Sequence, residues 1–75
     1  MIKIRDAVTY VDEHRVEHQA IVNEVWGKAE PCLINVVYVS ADVRQEDAYG
    51  RQIMRATSVS HESQVGEARA RYWKR

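Results

Sequence analysis

Three histidines and one cysteine are the side chains of this 75-residue sequence best suited to metal or nucleophilic chemistry. His14 and His18 stand four residues apart, a spacing that on an α-helix aims both imidazoles at one ion. On a strand, His14 falls in a turn and the two rings need not converge. No Cys-x-x-Cys or His-Glu-x-x-His pattern accompanies them, so exposed turn and strand histidines are expected, with no metal and no cofactor. Ser60-His61-Glu62 has the residue types of a hydrolytic triad. Neighbours on a strand point to opposite faces, however, and a triad needs convergence in space and an oxyanion hole. The carboxylate pairs Asp12-Glu13 and Glu46-Asp47 read as solvated turn charges. Gly27, Gly50 and Gly66 are isolated, which argues against a phosphate-cradling loop. No catalytic residue is assigned, and the chain is expected not to be an enzyme.

Binding chemistry is better represented. Arg51, Arg55, Arg69, Arg71, Tyr49, Tyr72 and Trp73 gather in the last third of the chain. Guanidinium groups bind phosphates and aromatic faces stack on unpaired bases, so these residues could form a single-stranded nucleic-acid surface. The opposing reading makes Tyr72 and Trp73 core and pairs the arginines with Glu13, Glu17, Asp42 or Asp47. A second set, Tyr10, Trp26, Tyr38 and Tyr49, could line an aromatic groove for a peptide. Trp26 lies beside a turn, where aromatic hot spots occur, or else caps the core. Tyr10, Trp26, Tyr38, Tyr49, Arg51, Arg55 and Arg71 are therefore the candidate binding residues.

These residues must be positioned by a small β-rich domain. Cys32 to Val39 is almost wholly apolar and β-branched, and it reads as a strand covered on both faces. Ala7 to Val11 reads as a first strand, Asp12 to Arg15 as a hairpin turn, and Val16 to Trp26 as a long second strand. A β-bulge near Asn23 would bring Val25 onto the same face as Ala20 and Val22. The rival for this segment is a helix, with Asp12 as N-cap and Gly27 at its end. Gly27 to Pro31 is a turn and Ser40 to Gly50 a polar loop. Arg51 to Ser60 is a fourth strand, with Ile53, Thr57 and Val59 on one face and Arg55 interrupting it. His61 to Ala68 is polar, and Arg69 to Trp73 closes as a short strand or, through a Glu67–Arg71 pair, a helix. The predicted core is Val8, Tyr10, Ala20, Val22, Val25, Leu33, Ile34, Val36, Tyr38, Ile53, Val59 and Trp73. Trp73 is expected to plug the structure, so that losing the last few residues would unfold it.

Composition sets the limits. Residues 1–75 make one domain, and so short a chain is only marginally stable alone. A lone cysteine cannot form an internal disulfide, and Cys32 is read as a buried thiol in a reducing, cytoplasmic compartment. Met1 to Tyr10 alternates charged and apolar residues, unlike a secretory signal, and no apolar run reaches membrane-spanning length. The net charge is zero but uneven. Residues 1–50 carry five basic against nine acidic side chains, and residues 51–75 carry six against two.

The segments Ala20-Ile21-Val22-Asn23-Glu24-Val25-Trp26, Ile34-Asn35-Val36-Val37-Tyr38-Val39, Ala56-Thr57-Ser58-Val59 and Tyr72-Trp73 together resemble small uncharacterised proteins encoded by tailed bacteriophages. The likeness runs from about Thr9 to Trp73 on the strand-and-turn pattern. It departs at the Ser40 to Gly50 loop and at the charged Gly66 to Arg71 stretch. The resemblance implies an SH3-like barrel and carries no activity with it; the residues themselves imply a small barrel or a strongly curved antiparallel sheet of four to five strands. The combined expectation is a non-enzymatic, phage-type binding module in the host cytoplasm. Its expected partner is a host or phage protein, with nucleic acid as the alternative, no membrane, and self-association through exposed strand edges.

Overall fold

In the computed structural model, residues 1–27, 32–44, 46–65 and 70–75 are described. The fold is mainly β, with a five-stranded antiparallel sheet curled into a half-barrel. The strands are β1 (Ala7–Val11), β2 (Glu17–Trp26), β3 (Leu33–Val39), β4 (Glu46–Asp47), β5 (Gly50–Arg51), β6 (Ile53–Val59) and β7 (Tyr72–Lys74). Sheet order is β6-β3-β2-β1-β7, and β4 and β5 form a separate small hairpin. Of the two architectures expected from the residues, the strongly curved sheet is the one observed. Segment 12–26 is a turn and a strand, so the rival helix is ruled out.

The β1–β2 turn shows how local chemistry sets the register. Asp12 Oδ1 accepts the N–H groups of His14 at 2.8 Å and Val16 at 3.0 Å, while the Arg15 N–H donates to the Asp12 carbonyl. Arg15 lies at φ 67°, the left-handed position that closes a three-residue hairpin loop. Register then places Val8 opposite Ala20 and Tyr10 opposite His18 on the inner face.

Two bulges bend the sheet. Between β2 and β3 the register shifts between Val22 and Glu24, so Asn23 is the extra residue and Val25 pairs with inward-facing Ile34. Between β3 and β6 the extra residue lies at Thr57-Ser58, and Ser58 adopts φ 53°. Asn35 holds this region together. Its Oδ1 accepts the Ser58 N–H at 2.8 Å and the Trp26 indole N–H at 2.9 Å.

The core comprises Ile2, Val8, Tyr10, Ala20, Val22, Cys32, Ile34, Val36, Ala56, Val59 and Trp73, with Val25 and Tyr38 packed against it. Trp73 closes the curl. Its indole N–H donates to the Cys32 carbonyl at 3.0 Å, its backbone N–H donates to the Ser60 carbonyl at 2.9 Å, and His61 packs edge-on at 4.6 Å.

Four expectations are corrected. Leu33 and Ile53 are exposed rather than core. Only the inner face of β3 is sealed, because Leu33 and Val39 open to solvent. The β6 bulge makes Met54, Ala56 and Val59 the inward set, so Ile53, Arg55 and Thr57 share the outside. The polar loop also contains the β4–β5 hairpin. The turn at residues 28–31, the Glu67–Arg71 pair and Arg69 fall outside, or partly outside, the described residues.

Trp73→Ala should cost about 3–5 kcal/mol, around half of the stability of a domain holding roughly 0.1 kcal/mol per residue. Urea unfolding followed by circular dichroism should show a folded variant whose midpoint falls by about half. Arg15→Gly should instead raise stability by up to about 1 kcal/mol, because it removes left-handed strain.

Candidate functional site

Titratable and aromatic side chains converge at the β1–β2 turn end of the inner face. Tyr10, His18 and Tyr38 occupy successive strands because even-numbered residues of β1, β2 and β3 face inward there. The His18 ring lies 5.8 Å from that of Tyr10 and 4.4 Å from that of Tyr38, and the two tyrosines are 5.1 Å apart. Asp12 Oδ2 accepts from His18 Nε2 at 2.9 Å. The His18 side chain is only 8% exposed.

Arg71 reaches into the same corner from the approach to β7. It donates to the Thr57 carbonyl, spanning the gap between the two edges of the half-barrel, and its charge acts on the Tyr10 phenol. Burial pushes the Tyr10 phenol above its usual 10.0, with Glu13 and Asp12 adding to the effect and Arg71 opposing it. Tyr38 is raised too, first by burial and then by Tyr10, Asp12 and Glu13. For Asp12, burial raises the pKa, but the bonds from His18 and from the Val16 and His14 amides outweigh it and hold the carboxyl below 3.8. The ionised carboxylate fixes the proton of His18 on Nε2.

The seven candidate binding residues do not form one surface. Tyr10, Tyr38 and Arg71 meet in this corner, where Tyr10 is buried. Trp26 sits at the other end of β2 and is 51% exposed. Tyr49 is 98% exposed at the tip of the β4–β5 hairpin, beside Arg51, which bonds Glu46 at 3.1 Å and the Ser40 carbonyl at 3.2 Å. Arg55 lies on the outer face opposite Val37. The proposed groove of Tyr10, Trp26, Tyr38 and Tyr49 is therefore not assembled; strand pairing distributes these rings over both ends and an arm. The basic-aromatic cluster is dispersed as well, with Trp73 interior and Lys74 3.5 Å from Glu17.

The other chemical candidates are placed elsewhere. His61 Nδ1 bonds Ser63 and its ring meets Trp73, so Ser60-His61-Glu62 is a cap rather than a triad. Among the described residues, no three His, Cys, Asp or Glu side chains come together to hold a metal ion, and no helix is long and apolar enough to cross a membrane.

The outer face holds a feature that the sequence reading missed. Ile21, Val39 and Ile53 are 44%, 54% and 61% exposed, and Val37 is half-buried between them. Ile21 is opposite Val37, and Val39 opposite Ile53, so the four form one apolar patch across β2, β3 and β6. Two shallow depressions flank it, one bordered by Ala7, Gln19 and Arg75 and the other by Val37, Val39 and Ile53. The apolar residues at both parities of β3 were the available signal.

The depressed Asp12 pKa gives a pH dependence with a defined sign. Its contribution to stability is complete above its ordinary 3.8 and is lost as pH falls through the lower folded value. Urea midpoints should drop for the wild type as pH falls below about 4, whereas Asp12→Asn should be less stable at neutral pH and show a shallower acid decline. Comparison with protein-family models, curated proteins and solved structures finds no match to this chain.

Proposed function

We propose that the chain is a non-enzymatic, phage-type protein-binding module in the host cytoplasm, whose partner docks on the outer face of β2, β3 and β6. The contiguous Ile21, Val37, Val39 and Ile53 patch carries this reading, since solvent-facing β-branched side chains on three adjacent strands are costly unless covered. The rim indicates the partner's chemistry. Arg55 borders the patch with no ion-pair partner among the described residues, and Arg75 borders the adjoining depression. An apolar protein surface edged by carboxylates complements both features. Completing the burial of these side chains recovers part of the about 1.5–3 kcal/mol available to each.

The nucleic-acid alternative has less support. Arg51 is engaged at Glu46 and the Ser40 carbonyl and Arg71 at the Thr57 carbonyl, and Trp73 is interior. The His18 ring, bonded to Asp12, meets both tyrosine rings and serves packing in this reading.

Immobilised protein should capture from bacterial lysate a partner that withstands high salt. Ile21→Lys/Val39→Lys should lose that partner with an unchanged circular dichroism spectrum, while Trp26→Ala should retain it. Capture indifferent to the double variant contradicts the proposal. So does single-stranded oligonucleotide binding that falls steeply with salt and weakens on Arg55→Ala.

A further inference from the structure

Strand β6 ends the sheet, and part of its backbone has no partner among the described residues. The Ser40 N–H donates to the Gln52 carbonyl at 2.9 Å, which aims the backbone of Gln52 at the β3 side. By strand alternation, Met54 and Ala56 bond β3 as well. Ile53 and Arg55 thus stand in the non-hydrogen-bonded pairs with Val39 and Val37, and their N–H and C=O groups point out of the sheet. Thr57 points the same way, but its carbonyl is taken by Arg71, and Ser58 at φ 53° ends the regular pairing. Among the described residues nothing bonds the outward groups of Ile53 or Arg55. The open window is Ile53-Met54-Arg55.

We propose that a second copy of this chain fills the window, the two β6 strands pairing antiparallel about a two-fold axis at Met54. In that register Ile53 of each copy faces Arg55 of the other, and the outward N–H and C=O groups of both residues find partners. The charges select this register. A two-fold axis at Arg55 would set one guanidinium against its equivalent, whereas the axis at Met54 lays the arginine stem over an exposed isoleucine. The apolar row of Val39 and Ile53 then continues across the junction instead of stopping at a bare edge. This self-complementarity favours a second copy over a strand from another protein. The backbone pairing runs along the β6 edge and shares only Ile53 and Arg55 with the outer-face patch, and Ile21→Lys/Val39→Lys leaves the edge backbone untouched, so the two proposals fail separately.

Sedimentation equilibrium from micromolar to millimolar concentration tests the proposal. The mass should rise from that of one 8.7 kDa chain to that of two. Arg55→Pro removes an outward N–H that the β3–β6 ladder does not use, so it should keep the wild-type spectrum and stay monomeric. Met54→Cys supplies a second readout. At the axis the two residues form a non-hydrogen-bonded pair with Cα atoms about 4.5 Å apart, within disulfide reach, so mild oxidation should link the copies there. Ile53→Cys should not cross-link. A monomer at every concentration overturns the proposal and leaves the edge to a foreign strand. A dimer untouched by Arg55→Pro, or cross-linking at residue 53 as efficient as at 54, overturns it as well.

Discussion

The curl of the sheet depends on how Trp73 is held. β7 is three residues long, with an antiparallel ladder to β1 on one edge and a single parallel bridge from Trp73 to His61 on the other. Ladder bonds over so short a length contribute about 1 kcal/mol each and would not dock a terminal strand by themselves. The indole adds the burial of the largest side chain in the core and a hydrogen bond to Cys32, just before β3. That bond joins the β7 edge to the far side of the sheet. The Ser60 carbonyl and the His61 ring, just beyond β6, meet the same residue. One residue, through its indole and its backbone N–H, thus brings together the two ends of the sheet.

Curvature on this scale also requires bulges. Asn23 and Ser58 supply them, and Asn35 between them uses one carbonyl oxygen to bind the Ser58 amide and the Trp26 indole. The bend concentrates small and β-branched side chains on the inner face. It leaves the outer face with Ile21, Val39 and Ile53 in solvent, and β6 with backbone groups facing outward. The surfaces proposed for binding are therefore what remains once the inner face and the Trp73 contact are satisfied.

Much of this architecture is legible in the chain. Ala7–Val11, the turn at Asp12 and the bulge at Asn23 follow from local alternation and from a carboxylate able to cap two amides. Trp73 as a plug follows from its size and place. Leu33 and Ile53 depart from the expected core for a physical reason: β3 is apolar at both parities, and a one-residue bulge in β6 reverses which side chains face inward. Tyr10, Tyr38 and Arg71 were individually recognisable as candidates. Their meeting with His18 and Asp12 depends on the register of three strands and on Arg71 crossing to Thr57, which no local pattern encodes.

Amide and indole hydrogen exchange, followed by NMR, tests the closure most directly. The sequence contains two tryptophans, so their indole N–H signals provide an internal comparison. The Trp73 indole N–H, buried against the Cys32 carbonyl, should exchange only on global unfolding, together with the amides of Ile34 and Val36. The Trp26 indole N–H, bonded to Asn35 but in solvent, should exchange far faster. Equal, rapid exchange of both indoles in a chain whose Ile34 and Val36 amides stay protected would mean that Trp73 does not hold the curl.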